Sequence, residues 1–179
     1  MRRTLGVLIL LVPAGLALAQ SHRPYAGMEQ RSVKALSEQQ IADLRAGRGM
    51  GLALPAELNG YPGPMHVLEH GDALHLTQEQ RERTKALIDA MRAEAIPVGE
   101  RLIEQEAKLD RLFANREITP ASLTAATADI GATQARLRET HLKYHLAMMD
   151  LLTLEQVAEY RRLRGYTSSQ PMQHHKQRH

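Results

Sequence analysis

From Leu76 onward the chain repeats small or apolar side chains in alternating steps of four and three. The positions are Thr84, Ile88, Met91, Ala95, Val98 and Leu102, and the stripe resumes at Leu109 and Leu112. Charged residues such as Glu79, Arg83, Lys85, Arg92 and Glu100 fill the intervals. This spacing keeps one stripe of a helix facing a partner. Thr77 caps the start, and Gln80, three residues on, reaches back to the cap N–H in a capping box. A helix from Gln78 to Ala114 would be roughly 55 Å long at 1.5 Å per residue. Pro97 lies inside it, removes one backbone donor and crowds the carbonyl of Ala93, which predicts a kink.

A second stripe follows a turn at Asn115–Ile118. Thr119 is an N-cap and Pro120 suits the first helical position. Leu123, Ala126, Ile130, Thr133, Leu137, Tyr144, Met148 and Leu151 then line one face of a return helix ending near Asp150. Leu152-Thr153-Leu154-Glu155-Gln156 repeats the Leu-Thr-x-x-Gln pattern of residues 76–80, opening a final helix that stops at Gly165. Upstream, Ser37 and Gln40 form another capping box, for a short helix with Ile41 and Leu44 inward and Gly47 at its end. Residues 52–58 predict one or two helical turns closed by Asn59-Gly60. Pro64 starts a further short helix reaching about Leu74. The pattern predicts an all-α fold: a long antiparallel helical hairpin with short flanking helices, kinked at Pro97. A register centred on Glu117 sets His145 beside Asp89 and His141 beside Ala93.

The first 19 residues change the domain picture. Arg2 and Arg3, an apolar run from Leu5 to Leu18 and Ala17-Leu18-Ala19 have the form of a cleavable signal peptide. The run is short for a membrane span, which needs about 20 residues. The predicted organisation is a signal peptide (1–19), an N-terminal extension with short helices (20–63), a hairpin domain (64–165) and a His-containing tail (166–179). Within the extension, Gln20–Val33 is polar and aperiodic, which predicts a mobile segment. The expected location is the periplasm, with no stable membrane insertion after cleavage.

Charge and composition narrow the function. The chain has 23 basic and 20 acidic residues. Without Arg2 and Arg3 the balance is 21 to 20, so nucleic acid is not implied as a partner. There is no cysteine, so disulfides are excluded and soft-metal chemistry falls to His and Met. Nucleophilic cysteine, a Ser-His-Asp arrangement and a phosphate-binding glycine loop all lack their sequence signals, and the expectation is a protein that is not an enzyme.

The sharpest chemical signal is two histidine pairs at i, i+4 spacing, His66/His70 and His141/His145. On a helix each pair shares one face and can address one ion. The hairpin register brings both pairs toward one end, with Met148 and Met149 one turn beyond His145 and Asp89 as the candidate carboxylate. Imidazole, thioether and one carboxylate suit Ni, Co, Zn or Cu. His66-Val67-Leu68-Glu69-His70 also spells H-x-x-E-H, but a zinc peptidase needs a third ligand and a larger fold. The tail histidines, His174, His175 and His179, alternate with Lys176 and Arg178, which oppose cation binding.

The paired Leu76-Thr77-x-x-Gln80 and Leu152-Thr153-x-x-Gln156 resemble the LTxxQ superfamily of small bacterial periplasmic proteins. The similarity covers roughly residues 64–164. It implies a curved all-α hairpin, usually a homodimer. In the CnrX-like metal-sensing branch it implies metal ligands at His66, His70, His145 and Met149, with Asp89 nearest the place of a carboxylate from the first long helix. In the Spy-like branch it implies an ATP-independent chaperone that holds unfolded clients on a concave face. Two functions are therefore expected. One is a non-catalytic heavy-metal-binding protein of a resistance, sensing or envelope stress system, acting with a partner protein. The other is a chaperone of the Spy/CpxP type.

Overall fold

The computed structural model describes residues 24–166. The signal-like segment and the tail histidines lie outside them. A 3-10 turn at Met28–Gln30 precedes six helices: α1 (Glu38–Arg45), α2 (Leu54–Glu57), α3 (Pro64–Glu69), α4 (Gln78–Ala114), α5 (Pro120–Met149) and α6 (Leu154–Leu163). Helices α4 and α5 form the antiparallel hairpin, and α1 and α3 lie against α4. Among the described residues there is no strand, and no helix is long and apolar enough to cross a membrane.

Capping chemistry sets the boundaries. Ser37, Thr77, Thr119 and Thr153 each accept a hydrogen bond from the backbone N–H three residues on, closing capping boxes with Gln40, Gln80, Ser122 and Gln156. At the C-termini of α1, α4 and α6 the backbone closes in Schellman motifs. Residues 47, 116 and 165 take positive φ, and residues 48, 117 and 166 bond back to the carbonyls of 43, 112 and 161. Helix α4 runs on through Pro97 without interruption. Helix α3 is shorter than the predicted reach to Leu74. It ends at Glu69, where Gly71-Asp72 break the periodicity, and Leu74 is carried into the core by a turn.

The interior is divided in two. A middle core joins Val33, Leu36 and α1 residues Ile41 and Leu44 to Ala95, Leu102 and Ile103 of α4 and Ile130 and Leu137 of α5. Val33 is thus packed, against the expectation of a mobile segment up to that point. Helix α1 can approach α4 because Gly99 has no side chain; a Cβ there would lie 2.7 Å from the Leu44 carbonyl oxygen. A second core at the hairpin base gathers Val67, Leu74, Leu76, Met148, Leu151, Leu152, Val157 and Tyr160.

Hairpin register differs from the prediction. Glu94 of α4 meets Lys143 and Tyr144 of α5, whereas a register centred on Glu117 would place residue 140 opposite. The helices are staggered by three to four residues, one turn of helix.

Candidate functional site

Between the two cores the hairpin is covered by residues 46–63, which cross its surface as a strap. Beneath the strap lies a cleft of about 340 Å³. His141 and His145 reach it from α5, Met91 from α4, Met65 and His66 from α3, and Met50 and Glu57 from the strap. Glycines let the strap lie directly on the imidazoles. A Cβ at Gly49 would sit 3.3 Å from His141 Nδ1, and one at Gly63 would sit 3.0 Å from His145 Cε1.

The two rings are held differently. His145 Nδ1 lies 2.7 Å from the Tyr61 carbonyl oxygen. That contact requires the proton on Nδ1, so that in the neutral tautomer Nε2 is the nitrogen with the lone pair. His141 is 3% exposed, and its buried Nε2 has no hydrogen-bond partner. Burial, and then the neighbouring His145, hold the His141 pKa below the ordinary histidine value, so its ring stays neutral at physiological pH.

Glu57 anchors the strap. It is 6% exposed. One oxygen accepts from Tyr160 Oη at 2.5 Å, Tyr166 Oη at 3.1 Å and Arg164 Nε at 3.3 Å. The other accepts from the Gly63 N–H at 3.2 Å and lies 3.9 Å from His145 Nδ1. Burial and this carboxylate together raise the Tyr160 pKa far above its ordinary value. Sequence reasoning missed Glu57. Its signal was a single acidic residue in a run of apolar residues and helix breakers, with nothing to show its partners a hundred positions away.

The predicted ligands separate. His66, His141 and His145 line the cleft, but His66 is half-exposed with Nδ1 2.8 Å from Glu69 Oε2. His70 sits at the α3 C-cap with its ring edge-on to Tyr160, centroids 6.4 Å apart. Asp89 is exposed, since it lies one position off the buried α4 stripe that includes Ile88 and Met91. Met148 is fully buried in the basal core and Met149 packs against it. Among the described residues, no three His, Cys, Asp or Glu side chains lie close enough to hold one ion. A set made only of those donors does not fit. A set built on the unpartnered His141 Nε2 and completed by sulfur does fit the cleft's chemistry.

These features define a class: an all-helical hairpin closed at its base by two LTxxQ segments, with a histidine- and methionine-lined cleft under a strap. The heavy-metal resistance family (Metal_resist) matches residues 50–159, more than half of the chain, and the protein belongs to that family. No curated protein and no solved structure gives a significant match.

Proposed function

We propose that this is a periplasmic, non-catalytic heavy-metal-binding protein whose ion, drawn from Ni, Co, Zn or Cu, enters the cleft beneath the strap. One observation carries the reading: in a member of the heavy-metal resistance family, a neutral histidine is buried at a cleft with its Nε2 unpartnered. An unsatisfied buried nitrogen of this kind costs about 1–3 kcal/mol, and a metal ion is one group that satisfies it. His145 supports the reading, because a metal-ligating histidine commonly donates its other N–H to a carbonyl, as His145 does to Tyr61. His66 is the third imidazole at the cleft.

Calorimetric titration of the exported chain with Ni(II), Co(II), Zn(II), Cu(II) and Cu(I) tests this. The expected result is stoichiometric binding of at least one ion, weakened at least tenfold in His141→Gln and His145→Gln, with no comparable loss in Asp89→Asn. Unchanged affinity in both histidine variants overturns the site. If no ion binds at micromolar concentration, suppression of client aggregation, the chaperone activity, becomes the property to measure.

A further inference from the structure

Three of the six methionines among the described residues, Met50, Met65 and Met91, line the same cleft as His141. The ordinary role of methionine is to fill gaps in a core. Met91 is 7% exposed yet is absent from both cores, and it stands against the cleft instead. Met50 lies at the mouth, 42% exposed, in a left-handed conformation with φ 45°. That conformation costs a side-chain-bearing residue roughly 1–2 kcal/mol, and the flanking Gly49 and Gly51 give the backbone the freedom to hold it there.

The charges around the cleft are already matched. Arg48 pairs with Asp43, and Arg164 with Glu57. Glu57, the carboxylate at the cleft, spends both oxygens on Tyr160, Tyr166, Arg164 and Gly63. Among the described residues lining the cleft Glu57 is the one carboxylate, and Arg164 already offsets its charge. The donors that remain are the thioethers of Met50, Met65 and Met91 and the imidazoles of His141, His145 and His66, a set whose three sulfurs favour Cu(I) over harder divalent ions.

We infer that the cleft is a thioether–imidazole site for a soft monovalent cation, Cu(I) or Ag(I), with Met50, Met65 and Met91 as sulfur donors beside His141. This rests on the proposal that the cleft binds metal and names the class of ion it takes. Silver, which needs no reductant, is the probe. One equivalent of Ag(I) added to the full exported chain labelled at the methionine methyls is expected to shift the Met50, Met65 and Met91 resonances and leave Met148 and Met149 in place. Met65→Leu and Met91→Leu nearly conserve volume and packing. Each is expected to lower Ag(I) affinity at least tenfold and leave Zn(II) binding unaltered. Methyl resonances that do not move, or leucine variants that bind Ag(I) as tightly as the parent, overturn the thioether assignment. Should His141→Gln abolish binding of a divalent ion while the leucine variants change nothing, the imidazole site stands and the soft-cation inference fails. Should neither histidine nor methionine variants alter binding of any ion, both fail.

Discussion

Gln80 and Gln156 exchange hydrogen bonds across the base of the hairpin. Gln80 Nε2 donates to Gln156 Oε1 at 2.8 Å, and Gln156 Nε2 donates back to Gln80 Oε1 at 3.0 Å. Each amide also donates to a loop carbonyl, Gln80 to Leu151 at 3.0 Å and Gln156 to Leu74 at 3.2 Å. Each Oε1 further accepts from its own cap N–H, that of Thr77 or Thr153, at 3.0 Å. Every donor and acceptor of the two side chains is satisfied. This explains the motif: leucine enters the basal core, threonine caps the helix, and glutamine does two tasks that need both an acceptor and a donor.

A carboxylate at residue 80 keeps the acceptor and loses the donors. Gln80→Glu is therefore expected to retain helix content, because the capping box survives, while losing about 2–3 kcal/mol of stability through the unpaired Leu151 carbonyl and the broken amide pair. Urea unfolding followed by circular dichroism separates these effects. The double variant with Gln156→Glu is expected to be non-additive, since both changes break one interaction.

Glu57 holds the strap by accepting from four groups, of which the Gly63 N–H and the Arg164 guanidinium can only donate. Glu57→Gln introduces an NH₂ that must face either the Gly63 N–H or the Arg164 guanidinium, neither of which can accept. The expected cost is about 1–3 kcal/mol, concentrated locally: faster hydrogen exchange at the Gly63 amide, with little change in α4. Equal loss of protection throughout the hairpin would show that the strap is not a separate unit.

Acid should weaken the Glu94 contact. Hydrogen bonding from Lys143, and then from Tyr144, holds the Glu94 carboxyl below the usual carboxylate range. The Tyr144 hydroxyl, desolvated and donating to that carboxylate, is pushed up to about 12. A depressed folded-state pKa gives stability that is present above the unfolded value, about 4.3, and is lost as pH falls through the folded one. Glu94→Gln is thus expected to be less stable than the parent at pH 7, with the gap closing below pH ~4. Because Glu94 and Lys143 are both about two-fifths exposed, the gap is under about 1 kcal/mol. A gap that persists at pH 3 would assign the effect to packing.

Arg116 occupies the left-handed position of the α4 Schellman motif with φ 58°, whereas α1 and α6 use Gly47 and Gly165 there. Its side chain is exposed. Arg116→Gly relieves the left-handed penalty and is expected to raise stability by about 1 kcal/mol, read as a higher Tm.

The caps, both long helices and their family resemblance were legible because they rest on local chemistry: a threonine and a glutamine three residues apart carry their own explanation. The register was not, because stagger between two helices depends on how the turn closes. Here Glu117 and Ile118 both bond back to the Leu112 carbonyl. One turn of displacement sufficed to put Glu94 against Tyr144, while Asp89, off the buried stripe of α4, faces solvent. His141 and His145 were found from their spacing. The cleft around them was not, since it depends on Gly49, Gly63 and Glu57, whose role appears only when the strap is laid across α5. Gly99 was equally silent: as a helix residue it reads as a weakness, and only the proximity of Leu44 makes it a contact surface.

From residue 104 to residue 129 no side chain is buried; the last buried positions are Ile103 and Ile130, each 7% exposed. Mechanically the hairpin is clamped by two cores, and the final eleven residues of α4, roughly 16 Å, are held more lightly, by Ala107 and Leu109 at the edge of the middle core and by the Lys34–Asp110 pair at 3.2 Å. Tilting this end by about ten degrees about the clamp would carry its tip through about 3 Å, given that rise per residue. A small tilt at the cores is therefore largest at Phe113 and Asn115, the end of α4 farthest from the cleft.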